Sequence, residues 1–171
     1  MNNKLVVVAH NIRSAHNVGS IFRSAEALGA DKLYLTGYSP YPKKANDERL
    51  PHIANKTADR IKKISLGSED SLDWEHSPDI IQLLKSLKND GYQIVALEQH
   101  ESAVKIENFK VPEKTALVLG SEVGGVSNEI LNQADLIVEI PLIGKKDSLN
   151  VAVASAIAIF YIKNVKNKFR S

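Results

Sequence analysis

Ile140-Pro141-Leu142-Ile143-Gly144-Lys145-Lys146-Asp147-Ser148-Leu149-Asn150-Val151-Ala152-Val153-Ala154 decides how the rest of this chain is read. The run Leu136 to Ile140 is apolar and β-branched and meets a proline, which marks the end of a strand. Gly144 and the charges after it make a loop. Ser148 then stands where a helix N-cap is wanted. From Leu149 to Ile162 the chain is apolar on nearly every side, broken only by Asn150 and Ser155. A helix with a solvent face carries polar residues along it. This one is therefore expected to be buried twice, against its own sheet and against a second surface. At ~1.5 Å per residue it is too short to cross a bilayer. The basic stretch Lys163 to Arg170 is its polar end.

Working outward, strands alternate with helices. Leu5 to Ala9 is a short apolar strand, and His10 to His16 a polar loop. Val18, Ile21, Phe22, Ala25 and Leu28 recur at helical spacing, with Asn17 as the expected N-cap and Gly29 as the stop. Lys32 to Thr36 completes a strand–helix–strand unit, the unit of a parallel sheet. Gly37 to Asn46 is a turn-rich loop. Ile53 to Ile64 reads as a short basic helix, and Leu72-Asp73-Trp74-Glu75 as a short edge strand. Asp79 to Asn89 is an amphipathic helix ended by Asp90-Gly91. Gln93 to Leu97 and Ala116 to Leu119 are buried strands, and a short helix near Asn128 to Gln133 precedes Leu136 to Ile140. The class is α/β with a mostly parallel sheet.

Composition narrows the function. A chain of 171 residues reads as a single domain able to bury a sizeable core. It has no cysteine, which excludes disulfides and thiolate metal sites and fits a reducing compartment. Its five histidines, His10, His16, His52, His76 and His100, show no ligand pairing at helical spacing, so no metal is expected. No secretory signal precedes Leu5, and a cytoplasmic location is the simplest expectation. The net charge of +2 says little by itself. Lys43-Lys44, Arg60-Lys62-Lys63, Lys145-Lys146 and the C-terminal tail are local clusters able to neutralise phosphates, or else a solvated surface.

Ligands of a parallel sheet bind beyond the carboxyl ends of its strands. Three segments leave strand ends here: Ala96-Leu97-Glu98-Gln99, Leu119-Gly120-Ser121-Glu122 and Ile140-Pro141-Leu142-Ile143-Gly144. If their strands are neighbours, their backbones converge on one crevice, where glycine lets a ligand approach the main chain. No phosphate-binding loop fits: G-x-x-x-x-G-K-[ST] on Gly144-Lys145 would need glycine at Glu139 and Ser or Thr at Lys146. No dinucleotide fingerprint follows the first strand, and there is no nucleophile elbow or cysteine nucleophile. The segment Asn11 to Arg23 gathers two asparagines, two arginines and a glycine about a helix N-terminus, where backbone N–H groups favour anions.

Three blocks resemble the three motifs of the TrmH (SpoU) family, within the SPOUT class of RNA methyltransferases. The first runs from Asn11 to Gly29. The second is Leu117-Val118-Leu119-Gly120-Ser121-Glu122-Val123-Gly124-Gly125-Val126-Ser127. The third is Ile140 to Gly144 followed by Ser148-Leu149-Asn150-Val151. Order and spacing match over nearly the whole chain. Leu142 stands where methionine is frequent in the family, and Ala152 where serine is common. The resemblance implies a parallel α/β sheet with helices on both faces and a C-terminal trefoil knot. It also implies a homodimer, which would give the final helix its second surface. The implied cofactor is S-adenosylmethionine, bound largely through main chain at Leu97, Gly120, Ile140, Ser148 and Leu149.

The reaction so implied is methyl transfer to a ribose 2′-hydroxyl of RNA. Arg23 matches the residue proposed as base in family mechanisms. A guanidinium normally stays protonated, so a phosphate clamp that lowers the hydroxyl pKa is an equal reading. Asn17 matches the asparagine that orients that arginine or the ribose. Glu122 matches the motif 2 glutamate, expected to hold Arg23 or a loop in place across the dimer, or to form a structural ion pair. Ser148 and Asn150 match the motif 3 pair, for phosphate contact and knot geometry respectively. A catalytically silent RNA-binding or ribosome-assembly protein on the same fold is the alternative. With the first motif strand beginning at Leu5, no added RNA-binding domain is expected, and the small size favours tRNA over rRNA.

Overall fold

The computed structural model describes residues 3–164. Seven strands, all parallel, form one sheet. In chain order they are β1 (Lys4–His10), β2 (Lys32–Thr36), β3 (Trp74–Ser77), β4 (Gln93–Leu97), β5 (Val104–Lys105), β6 (Lys114–Leu119) and β7 (Leu136–Glu139). Across the sheet the order is β3-β2-β1-β6-β4-β7-β5. The helices are α1 (Ala15–Ala27), α2 (Pro51–Ser65), α3 (Ser68–Ser71), α4 (Ile80–Asn89), α5 (Asn128–Leu131) and α6 (Val151–Asn164).

The central strands are buried on both faces, as continuous apolar runs in a parallel sheet require. Leu5, Val7 and Ala9 of β1, Val95 of β4, and Leu117 and Leu119 of β6 point into a core they share with α1 and α6. Val6, Val8, Ile94, Ala96, Ala116 and Val118 point the other way, into a core shared with α4 and α5. Two aspartates close strand starts: Asp31 accepts the N–H of Leu5 at 2.7 Å, and Asp135 that of Ile94 at 2.8 Å.

Several boundaries differ from the sequence expectations. Helix α1 begins three residues earlier, because Ser14 rather than Asn17 is its N-cap; the Ser14 hydroxyl accepts the Asn17 N–H at 3.3 Å. Helix α6 begins at Val151, and its cap is Asn150 rather than Ser148. Asn150 Oδ1 accepts the N–H groups of Ala152 and Val153 at 2.9 and 3.3 Å, while among the described residues the side chain of the exposed Ser148 bonds only Asp147, at 3.4 Å. Asp79 caps α4 instead of joining it. Strand β3 is the expected edge strand, shifted two residues on, with Trp74 edge-to-face on Phe22 at 6.1 Å. Strand β5 had no signal: two residues cannot show alternation.

Helix α6 is buried once within the chain. Ala152, Ser155, Ala158, Ile159 and Ile162 face the core. Val153, Ile157 and Phe160, at i, i+4 and i+7, form an exposed stripe, Phe160 being 56 % exposed. Its start lies at the carboxyl edge of the sheet. Its end is tied to the amino edge, where Lys163 Nζ donates to the Asn3 carbonyl at 2.9 Å. The basic tail beyond Asn164 lies outside the described residues. Among these, no helix is long and apolar enough to cross a membrane.

Candidate active site

Strands β6, β4 and β7 are neighbours, so the three strand-end segments do converge. They enclose a cleft of about 540 Å³, within the ~300–1,000 Å³ of small-molecule sites. Leu97, Gly120, Ile140, Ser148 and Leu149, the five expected cofactor contacts, all line it, together with Leu119, Leu142 and Ala154.

Glycine is demanded at two places in its wall. Ser121 and Gly125 exchange backbone N–H···O bonds of 3.0 Å, folding residues 121–125 into a tight loop over Gly120. A Cβ on Gly120 would overlap the Gly125 carbonyl and the Val126 nitrogen. Gly125 has φ +60°, and a Cβ there would overlap the Glu98 carboxylate. Glu98 had no role assigned from sequence, yet it organises this wall. One oxygen accepts the Val126 N–H at 2.6 Å, and the other its neighbour Gln99's N–H at 3.0 Å. Gln99 Nε2 in turn donates to the Ile140 carbonyl at 2.8 Å, joining the first strand end to the third. The available signal was a carboxylate placed one residue beyond a buried strand.

A chain of side chains joins the three motif blocks. Asn150 Nδ2 donates to Asn17 Oδ1 at 3.1 Å, and Asn17 Nδ2 donates to Glu122 Oε1 at 2.9 Å. Glu122 also accepts the N–H groups of Arg13 and Ser14, at 2.8 and 3.1 Å. Both amides have their orientation fixed. Asn150 must turn its oxygen to the α6 N–H groups, leaving its nitrogen for Asn17. Asn17 must then turn its nitrogen to the carboxylate. Burial opposes the charge on Glu122. The Arg13 N–H, the Asn17 amide and the Ser14 N–H together outweigh it and hold Glu122 below its ordinary value. An anion there also suits the amino end of α1.

Glu122, Asn17 and Asn150 are thus brought together, and Glu122 and Asn150 also line the cleft. Ser148 lines the cleft too. Arg23 does not. It lies six residues beyond Asn17 on α1, ~9 Å along the axis, exposed and with no hydrogen bond or ion pair among the described residues. Glu122 holds the loop before α1 within its own chain, and among the described residues it makes no hydrogen bond or ion pair with Arg23. Among the described residues no three His, Cys, Asp or Glu cluster as metal ligands.

Comparison with known proteins bears on the fold and the family. The pattern of the SpoU rRNA Methylase family matches residues 4–160. A tRNA (guanosine(18)-2′-O)-methyltransferase of Aquifex aeolicus is 34% identical over 156 residues, covering 91% of this chain and 67% of that protein. One of Borreliella burgdorferi is 28% identical over 158 residues, 92% and 65%. The chain therefore spans about two thirds of the length of these relatives. The solved A. aeolicus TrmH/SpoU tRNA modifying enzyme superposes with a TM-score of 0.77 at 30% identity, over 95% of this chain and 76% of that one. The SpoU methyltransferase AviRb of Streptomyces viridochromogenes, solved in complex with AdoMet, does so at 0.76 and 26%, over 95% and 57%. With fold and sequence in accord over nearly its whole length, the chain belongs to the SpoU rRNA methylase family.

Proposed function

We propose that this chain methylates a ribose 2′-hydroxyl of RNA using S-adenosylmethionine, working as a homodimer, with tRNA favoured over rRNA. The observation that carries the reading is the Glu122–Asn17–Asn150 chain built into the rim of the strand-end cleft.

The cleft fits the cofactor. Leu97, Leu119, Leu142 and Leu149 give apolar walls for an adenine, and Gly120 and Ile140 offer main chain at close range. When bound, S-adenosylmethionine supplies an electrophilic methyl carbon on its sulfonium. The residues of the chain do the rest. The ribose 2′-oxygen must be aligned with that carbon and must lose its proton as it gains the methyl group. Asn17 and Asn150 are held rigid beside the cleft, which suits them to positioning. Glu122, fixed as an anion, keeps the loop before α1 in place. Arg23, a permanent cation, is suited to clamping the neighbouring phosphate and lowering the hydroxyl pKa.

Arg23 does not line the cleft of its own chain, and we place it at the cleft of a second copy. The apolar stripe Val153, Ile157 and Phe160 supports such a contact, with Ser20 and Ser24 of α1 lining the groove beside Val153 and Ile157. The return of the chain from β7, outside β4, to α6, packed on α1, supports the trefoil threading of residues 140–150. One sheet covered on both faces supports reading the described residues as one domain, and an RNA substrate supports a cytoplasmic location.

The test combines calorimetric titration with S-adenosylhomocysteine and methyl transfer from labelled cofactor to bulk tRNA and bulk rRNA. Binding, label in one pool, and 2′-O-methylnucleosides after nuclease digestion are expected. A methylated base in the digest would overturn the ribose assignment. Binding without label in either pool would favour a silent RNA-binding protein, and no binding at all would sink the reading.

A further inference from the structure

The loop between β2 and α2, residues 37–50, lies directly against the start of the first motif. Ser39 Oγ accepts the Ile12 N–H and donates to the Ala9 carbonyl, both at 2.9 Å. Most of the loop's polar and aromatic groups are already engaged, within it or with β3. The Tyr41 ring stacks on His76 at 4.0 Å, and the Arg49 guanidinium lies 3.7 Å from the same ring centre. Arg49 is gripped by Asp47 at 2.5 Å and donates to the carbonyls of Tyr41 and Pro42 at 3.1 and 3.2 Å. Lys44 reaches the His76 carbonyl at 3.5 Å. The result is a stiff loop whose own cations are mostly spent.

Tyr38 is different. The residue is 57 % exposed, and its ring makes no aromatic or cation–π contact and no hydroxyl hydrogen bond among the described residues. Its backbone, by contrast, is fixed from below. The Tyr38 N–H donates to Asn11 Oδ1 at 3.1 Å, and Asn11 Nδ2 donates to His10 Nε2 at 2.8 Å. His10 must then carry its hydrogen on Nδ1, facing Thr36 Oγ1 at 2.9 Å. Asn11 itself sits at φ +54°, a region that asparagine tolerates better than most residues. Gly37, at φ +62°, has no room for a Cβ beside Asn11 Oδ1. Four side and main chains thus lock the backbone under an exposed aromatic side chain. Two residues after Asn11 stands Arg13, whose N–H is on Glu122 and whose guanidinium is exposed without a partner among the described residues. Lys43 is exposed and unpaired in the same sense.

We propose that Tyr38 is a stacking platform for an unpaired base of the RNA substrate, with Arg13 and Lys43, exposed cations of the two loops that Ser39 and Asn11 tie together, as phosphate contacts. The inference rests on the RNA reading above and gives it a docking surface on the side of the first motif. A rigid aromatic ring loses little entropy on contact, and any base offers a face to stack on. Unpaired nucleotides are those that RNA-binding proteins splay onto aromatic side chains. The lock beneath Tyr38 holds the platform at a set distance from the loop that Glu122 fixes.

The test measures binding of the full chain to unfractionated tRNA and to rRNA at several salt concentrations, with calorimetry against S-adenosylhomocysteine in parallel. Tyr38→Ala and Tyr38→Leu should weaken binding to the favoured RNA roughly tenfold, as for loss of one base–aromatic stack, while Tyr38→Phe stays within about twofold of the parent. None of the three should alter S-adenosylhomocysteine binding, and their dependence on salt should match the parent's. The double variant Arg13→Ala, Lys43→Ala should instead flatten that dependence by about one to two units of slope. Unchanged RNA binding in Tyr38→Ala would overturn the platform and leave the methyl-transfer reading standing. RNA binding without methyl transfer in the parent would overturn that reading alone. No binding to either RNA pool would overturn both.

Discussion

Replacing Asn17 by alanine tests whether the three motif blocks are held as one unit. Asn17 is 8 % exposed, and its amide makes two bonds, to Glu122 Oε1 at 2.9 Å and from Asn150 Nδ2 at 3.1 Å. A bond to a carboxylate contributes about 1.5–3 kcal/mol and a neutral one about 0.5–1.5 kcal/mol. Glu122 lies at the surface, where water takes over part of the lost bond, so the lower ends apply and the sum is about 2 kcal/mol. Urea denaturation should show a loss of that size. The Asn17→Ala, Glu122→Ala double cycle should show a coupling of about 1 kcal/mol, since residues in one network do not add. Acid titration gives an independent reading. Folded Glu122 lies below its ordinary 4.5, so its contribution is complete above that pH and is lost as pH falls through the lower folded value. In Asn17→Ala the carboxyl moves back up and this acid-side loss shrinks. S-adenosylhomocysteine binding should weaken too, because Leu149 and Asn150 line the cleft and lose their tie to α1. A stability change under about 0.5 kcal/mol, or strictly additive single variants, would refute the idea of one coupled network.

Gly120→Ala should destabilise the fold by roughly 2–4 kcal/mol and abolish S-adenosylhomocysteine binding, because its Cβ meets backbone rather than a yielding side chain; a melting temperature equal to the parent's would contradict the tight loop. His10 and His76 both titrate below their ordinary 6.5, chiefly because burial disfavours their charged forms. Glu129 partly opposes the shift at His10; at His76, the Gly37 carbonyl and Asp47 oppose it, and Lys44 and Arg49 reinforce it. Their contribution to stability is therefore complete above 6.5 and lost as pH falls through the folded values, so urea midpoints should drop across that window and His10→Gln should flatten the drop. Arg23→Ala and Asn17→Ala homodimers should each be nearly inactive, yet a 1:1 mixture refolded together should recover roughly a quarter of the parent's sites if each Arg23 serves the partner's cleft. No recovery in such a mixture would return Arg23 to its own chain.

The sheet was legible because its central strands are short apolar runs bounded by glycine, proline or charge, and the buried side of α1 repeats at helical spacing. What the sequence hid follows from physical causes that leave no periodic trace. The helix starts were misplaced by three and two residues because Asn17 and Ser148 are capping types as good as Ser14 and Asn150, the residues that cap α1 and α6. Only the structure shows that Asn17 faces Glu122 instead of its own helix, and that Asn150 caps α6 and still has an amide nitrogen to give. Glu98 drew no role from the sequence because its partners, at Val126 and Gln99, are backbone N–H groups that no side-chain pattern records.

The cleft itself shows why the motif blocks read as separate signals and act as one. Each contributes a side chain whose orientation makes sense only through the next. Asn150 turns its oxygen to α6 and its nitrogen to Asn17; Asn17 passes that direction to Glu122; Glu122 fixes the N–H groups before α1. Arg23 stands outside this relay, on the same helix but on a face its own cleft does not reach. Under the proposed reaction, an Arg23 that one chain leaves exposed outside its cleft argues that the working site takes this residue from a second chain. The apolar stripe on α6, which the composition of that helix had already marked for a second burial, is the surface on which that chain would sit.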